Sequence, residues 1–161
     1  MSTFDQIVSM VEDTCSHAVP TVDKSASPHA LIIAKEDVVV VCRILQENPL
    51  LYFDMLSSVT GIDNGPESGT MEIAYNLYSI PFDVHLMIKI PLPRDNPQID
   101  SVSGIWKTAN WHEREIFDLY GIHFVNHPDL RRILLPADWE GHPLRKDYSH
   151  QEYYRDIKVK Y

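Results

Sequence analysis

Two alternating runs constrain this chain more than any other feature. From Thr70 to Ser79, Met71, Ile73, Tyr75 and Leu77 share one side. From Phe82 to Ile90, Phe82, Val84, Leu86, Ile88 and Ile90 share one side, with Asp83, His85 and Lys89 on the other. A period of two belongs to a strand with one buried face and one wetter face. The separator Ser79-Ile80-Pro81 joins the two runs as a hairpin. Two strands cannot hide an apolar face alone; they need further strands and a covering layer of helices. The expected class is α+β, a largely antiparallel or mixed sheet packed with helices.

Helical periods supply that layer. Phe4, Ile7, Val8 and Val11 give a short amphipathic helix, with Thr3 as its cap. Thr14 to Pro28 reads as turns, and Ala30 to Ala34 as a short buried strand. Lys35 to Glu47 is expected to be helical despite the β-branched run Val38–Val41, because Val38, Val41, Cys42 and Leu45 make one apolar face. Asn48-Pro49 ends it. Leu51 to Ile62 is extended in part, before a turn rich in Gly65, Pro66 and Gly69. Pro91 to Pro97, with three prolines, is expected to be a rigid loop.

The clearest helix runs from Ile105 to Tyr120, with Asp100, Ser101 or Ser103 as its cap and Gly121 as its stop. One stripe is Ile105, Ala109, His112, Ile116 and Leu119. A second is Trp106, Asn110, Glu113, Phe117 and Tyr120, so Glu113 lies among aromatics. Arg114 and Asp118 are spaced as an i,i+4 pair. After Gly121 the period disappears for about forty residues, too long for an ordinary connection and too rich in Trp, Tyr and Leu to be disordered. The expected organisation is an α+β domain over residues 1–121 and an extended C-terminal arm over 122–161, its apolar groups buried on another surface.

Charge narrows the function classes. Residues 1–104 hold five Lys/Arg against 14 Asp/Glu; residues 105–161 hold nine of each. A net charge of −9 excludes a stand-alone nucleic-acid binder and docking on anionic lipid. No uninterrupted apolar run approaches the roughly 20 residues of a spanning helix. No basic stretch followed by an apolar run follows Met1, so a cytosolic location is expected. The C-terminal third carries all three Trp (Trp106, Trp111, Trp139). Together with its Arg and Tyr this is also the composition of a contact surface.

Few patterns here carry chemistry. Cys15 and Cys42 cannot supply the four ligands of an iron–sulfur cluster. His112, His123, His127, His142 and His150, beside Asp118, Asp129, Asp138 and Asp147, are possible metal ligands, but without a recognised spacing. No G-x-S-x-G, G-x-G-x-x-G or phosphate-binding loop occurs. Glu113, on an aromatic face, needs a cation or hydrogen-bond donors. Arg131, Arg132, Arg145 and Lys146 are the candidate cations, folding back or approaching from a partner. A metal-dependent enzyme built on the His/Asp-rich third is one reading; a binding or scaffold module is the other.

Two stretches carry a resemblance. His112-Glu113-Arg114-Glu115-Ile116-Phe117-Asp118-Leu119-Tyr120-Gly121-Ile122-His123-Phe124 runs into His127-Pro128-Asp129-Leu130-Arg131-Arg132-Ile133-Leu134. Asp138-Trp139-Glu140-Gly141-His142-Pro143-Leu144-Arg145-Lys146-Asp147-Tyr148 follows. Together they resemble the C-type subunit of NADH–quinone oxidoreductase, respiratory complex I, and its relatives in photosynthetic complex I and membrane-bound hydrogenases. The resemblance implies a peripheral-arm subunit on the cytoplasmic side of the inner membrane, with no cofactor and no catalytic residue of its own. Iron–sulfur clusters, quinone and, depending on the electron donor, FMN would sit in partner subunits. Its neighbours would be the large hydrogenase-like (D-type) subunit and the small cluster-bearing (B-type) subunit, without direct transmembrane contact. Glu113, Arg114, Glu115, Asp118, His127, Arg131, Arg132, Trp139, Arg145, Lys146, Asp147 and Tyr148 would be interface residues or structural ion pairs.

Overall fold

In the computed structural model, which describes residues 3–159, the elements are α1 (Thr3–Thr14), β1 (Thr21–Asp23), β2 (Ala30–Ile32), α2 (Val38–Glu47), β3 (Met55–Asp63), β4 (Thr70–Ser79), β5 (Val84–Pro93), β6 (Gln98–Asp100), α3 (Ala109–Tyr120), β7 (His123–Val125), β8 (Tyr153–Tyr154) and β9 (Ile157–Lys158). The expected hairpin is the centre of a five-stranded sheet ordered β1-β2-β5-β4-β3. β4 and β5 pair antiparallel from Thr70 opposite Pro93 to Ser79 opposite Val84. β2 joins β5 in parallel, while β1 and β3 join their neighbours antiparallel, so the sheet is mixed.

One face of this sheet, with Val59, Met71, Ile73, Tyr75, Leu77, Leu86, Ile88, Ile90 and Leu92, builds the core with Ile7 and Val11 of α1 and Val38, Val41, Cys42 and Leu45 of α2. Tertiary burial of that α2 stripe outweighs the low helix propensity of four consecutive valines. Phe82 departs from its expected place. It sits in the β4–β5 turn beside Asp83 (φ 52°) and is exposed.

The first three residues of the expected proline loop, Pro91 to Pro93, are instead the end of β5, and residues 94–97 form the loop. Arg94 N–H donates to Gly69 C=O, so even-numbered positions face β4 here. Odd positions face β2, where Met87 N–H donates to His29 C=O and Ile33 N–H to Lys89 C=O. Pro91 and Pro93 therefore turn their missing N–H toward the side that β2 no longer occupies. A strand tolerates proline there.

α3 begins four residues later than its periodicity suggests. Val102 to Thr108 form turns, with Ile105 and Trp106 N–H both bonded to Val102 C=O. Trp106 leaves the helical stripe to enter the core, donating its indole N–H to Phe53 C=O at 3.0 Å. Neither Asp100, Ser101 nor Ser103 caps α3; its N-cap is Thr108, without a side-chain cap bond. Gly121 ends the helix as expected, at φ 74°. β6 and β7 flank α3 in sequence and pair in parallel. Ile122 and Phe124 are core residues, so the packed body continues past the expected boundary at Gly121.

Candidate functional site

Of the four buried carboxylates among the described residues, Asp37 holds Ser16 and His17 near the N-terminus, while Glu113, Asp118 and Asp63 each hold a segment around α3. Asp118 lies near the C-terminal end of α3. Its Oδ1 accepts Arg132 Nη1–H at 2.8 Å, and its Oδ2 accepts the N–H groups of Ile133, Leu134 and Leu135 at 3.1, 2.8 and 2.9 Å. Burial opposes ionisation, but these amides and the guanidinium outweigh it and hold the carboxyl below its ordinary value. Arg132 continues outward to Trp139 C=O (3.1 Å) and Gly141 C=O (2.9 Å). His142 Nδ1–H donates to Asp118 C=O at 2.9 Å, and Arg145 Nε–H to Tyr120 C=O at 2.7 Å. The helix end, where carbonyls lack intrahelical partners, is thus closed by the chain that follows it.

Asp63 ends β3 on the inward side of the sheet. Arg94 grips it with Nε–H and Nη2–H at 2.8 and 3.0 Å, and the amides of Gly65 and Lys146 donate at 2.9 and 2.8 Å. The paired Arg94 holds this carboxyl well below the usual range, and Lys146 and Gly65 add to that against the cost of burial. Arg94 also binds Asp147. Residues 144–148 are therefore tied to α3 through Leu144 N–H on Leu119 C=O, and to the sheet through Asp63 and Arg94.

Glu113 differs. Its Oε2 accepts Ser101 Oγ–H at 2.5 Å and its Oε1 accepts Val102 N–H at 2.8 Å. The expected arginine does not reach it. Arg132 is held by Asp118, Arg145 by Tyr120 C=O, and Arg131 pairs with Asp129 at 3.0 Å on the surface. Lys146 uses its backbone on Asp63. His127 comes within 3.8 Å, but its Nδ1 accepts Asp129 N–H and its Nε2 faces Asn110 C=O. Burial pushes the Glu113 carboxyl up to about 7, against the two donors.

The Arg114–Asp118 pair does not form: Arg114 lies over the Trp111 ring at 5.2 Å and donates to Arg131 C=O. Glu115 is exposed at the rim of a groove between β3 and α3. Trp139 Nε1–H donates to Tyr148 OH at 3.1 Å, and Tyr148 packs against Gly141. Asp63 and Arg94 escaped the sequence reading, which took Ser101 as a candidate cap and His142 as a possible metal ligand. For Asp63 a signal existed, since it follows Val59 and Gly61 in the inward alternation of β3. Among the described residues, no three His, Cys, Asp or Glu side chains stand together as a metal site. His127 and His142 are each engaged singly by backbone groups.

Residues 31–154 match the family described as the respiratory-chain NADH dehydrogenase 30 kDa subunit. The C-type subunit of NADH-quinone oxidoreductase from Geotalea uraniireducens is 49% identical over 121 residues, 75% of this chain and 73% of the relative. The corresponding subunit of Geobacter metallireducens is 40% identical over 152 residues, 94% of this chain and 93% of the relative. Among solved structures, a chain of the archaeal membrane-bound sulfane sulfur reductase has the same fold, with a TM-score of 0.74 at 21% identity, over 92% of this chain and 86% of that one. A trypsin-resistant fragment of Nqo5 superposes with a TM-score of 0.59 at 21% identity, over 79% of this chain and 98% of the fragment.

Proposed function

The chain belongs to the 30 kDa subunit family of the respiratory-chain NADH dehydrogenase, and from that premise we propose that it is a non-redox scaffold that docks on the large hydrogenase-like subunit, next to the small cluster-bearing one. As a family member it is a subunit of a multi-subunit NADH–quinone oxidoreductase. No helix among the described residues is long and apolar enough to cross a membrane. In this reading the chain sits peripherally on the cytoplasmic side of the inner membrane. The iron–sulfur clusters, quinone and donor-dependent FMN belong to its partners. This chain braces the module that passes electrons to quinone and carries out no redox step itself.

One observation supports docking through the C-terminal segment. Leu134 and Leu144 have their backbones tied down, by Asp118 and by Leu119 C=O, yet the two residues are 59% and 49% exposed. Trp111, nearby in the sequence of α3, is 65% exposed beneath Arg114. Apolar groups held rigidly in water lose little entropy on binding, which is the physics of an interface anchor. The reading of a metal-dependent enzyme finds no ligand set among the described residues.

The test is a mild-detergent pull-down of the tagged full chain, with mass spectrometry and iron analysis, beside a Leu134→Asp/Leu144→Asp variant. The wild type should recover the hydrogenase-like and cluster-bearing subunits with iron. The variant should keep its unfolding midpoint and lose both. Equal recovery of iron and partners by the two proteins overturns docking through this segment.

A further inference from the structure

The second role of α3 concerns Glu113, which the docking surface does not use. Its neighbours impose a strict hydrogen-bond arithmetic. Ser101 Oγ lies 2.5 Å from Glu113 Oε2 and 2.7 Å from Ser103 Oγ, and it accepts Ser103 N–H at 3.1 Å. A hydroxyl has one hydrogen to give and two lone pairs to receive. With one lone pair taken by Ser103 N–H, Ser101 has one donor and one acceptor left for two oxygen neighbours. It must give to one and receive from the other.

The direction of the chain therefore follows the state of Glu113. When the carboxylate is ionised, Ser103 donates to Ser101 and Ser101 donates to Glu113. When it carries a proton, Glu113 donates to Ser101 and Ser101 donates to Ser103. Val102 N–H holds Oε1 in both states. Glu113 has no contact with water, whereas Ser101 and Ser103 are half-buried, so the two hydroxyls lead from the interior toward solvent. We propose that Glu113, Ser101 and Ser103 form a buried proton-exchange site, in which the proton on Glu113 sets the direction of the two-serine chain and the grip of α3 on the turn before it.

The transfer balances without a co-reactant. Glu113 passes its proton to Ser101 Oγ as the Ser101 hydrogen moves to Ser103 and the Ser103 hydrogen to water; uptake runs in reverse. The groups around Glu113 leave its charge uncompensated. His127 is engaged elsewhere, its Nδ1 accepting from Asp129 N–H and its Nε2 facing Asn110 C=O. Tyr75 of β4 and Cys42 of α2 are buried and un-ionised, each pushed up first by burial and then by the charge of Glu113. The Tyr75 hydroxyl has no hydrogen-bond partner. On α3 itself, Arg114 turns to Trp111 and Asp118 is saturated by the tail. Asp100, beside Ser101, accepts from Asn126. Burial without a cation raises the Glu113 carboxyl to about 7, so both states exist near neutrality.

The experiment is a pH titration of the full chain, labelled with carbon-13 at the glutamate carboxyl, followed by NMR. One glutamate should titrate with its midpoint moved from 4.5 toward about 7, and Glu113→Gln should delete that resonance. Ser101→Ala removes a donor to the carboxylate and should move the midpoint up. Ser103→Ala strands the Ser101 hydrogen in the protonated state and should move it down. These opposite shifts also assign the resonance if Glu113→Gln does not fold. A wild-type chain whose glutamates all titrate in the ordinary range overturns the proposal. So does a raised midpoint that neither serine variant moves.

Discussion

Glu113 and Asp118 stand five residues apart on α3, about 140° around its axis, and neither touches water. Asp118 meets a guanidinium and three amides. Glu113 meets one amide and one hydroxyl. Burial opposes ionisation in both. Four donors, one of them cationic, reverse it for Asp118; two neutral donors do not for Glu113. One helix thus carries a fixed anion that clamps the tail and a carboxyl that exchanges its proton near neutral pH. Burial alone does not assign a role to a carboxylate; the number and charge of its donors do.

The largest expected break in this contrast is Asp118→Ala. It leaves Arg132 without its counter-charge and frees the loop amides, at a cost of about 3–5 kcal/mol. Urea unfolding measures the loss, and limited proteolysis should begin to cut within residues 131–142. Wild-type resistance in that loop counts against the clamp. Asp63→Ala should cost less, about 2 kcal/mol, because Arg94 keeps Asp147 as a partner. Its cleavage sites should appear near Lys146, leaving the loop around Arg132 protected.

Glu113→Gln should be the mildest, below about 1 kcal/mol at pH 5, where the wild-type side chain is largely protonated. Its mark is the pH profile. The folded Glu113 value is raised, so its contribution is complete below 4.5 and is lost as pH rises through about 7. Asp118 and Asp63 are lowered, so their contributions are present above the ordinary carboxylate value and are lost as pH falls through the lowered folded values. Wild-type stability should decline from pH 5 to pH 8, and the Gln variant should decline less. Parallel curves in chemical denaturation across that range remove Glu113 as the cause.

Much of this contrast was hidden in the sequence for a geometric reason. The periodicity of α3 shows that Glu113 is inward-facing, and Arg132 is a sensible cation to seek. Yet Arg132 sits 14 residues beyond Asp118, and the turn at Gly121 brings it to the other side of the helix from Glu113. The Arg114–Asp118 spacing was suitable for a pair, but Asp118 found better partners in three consecutive amides. A domain cut at Gly121 looked natural as well. Ile122 and Phe124 lie in the core because β7 must reach β6, a pairing of three residues too short to announce itself.

By itself the sequence determined what depends on neighbours along the chain. The hairpin of β4 and β5, the buried stripe of α2 and the stop of α3 at Gly121 follow from side-chain period and backbone freedom, which act over a few residues. The family signature from His112 to Tyr148 is legible in the same local way. Only the tertiary structure decided which cation met which carboxylate, that Pro91 and Pro93 belong to a strand, and that Trp106 leaves its helix. Those outcomes are set by groups up to 83 residues apart, such as Lys146 N–H on Asp63. A buried charge takes its state from whatever the fold packs around it, and no local period encodes that.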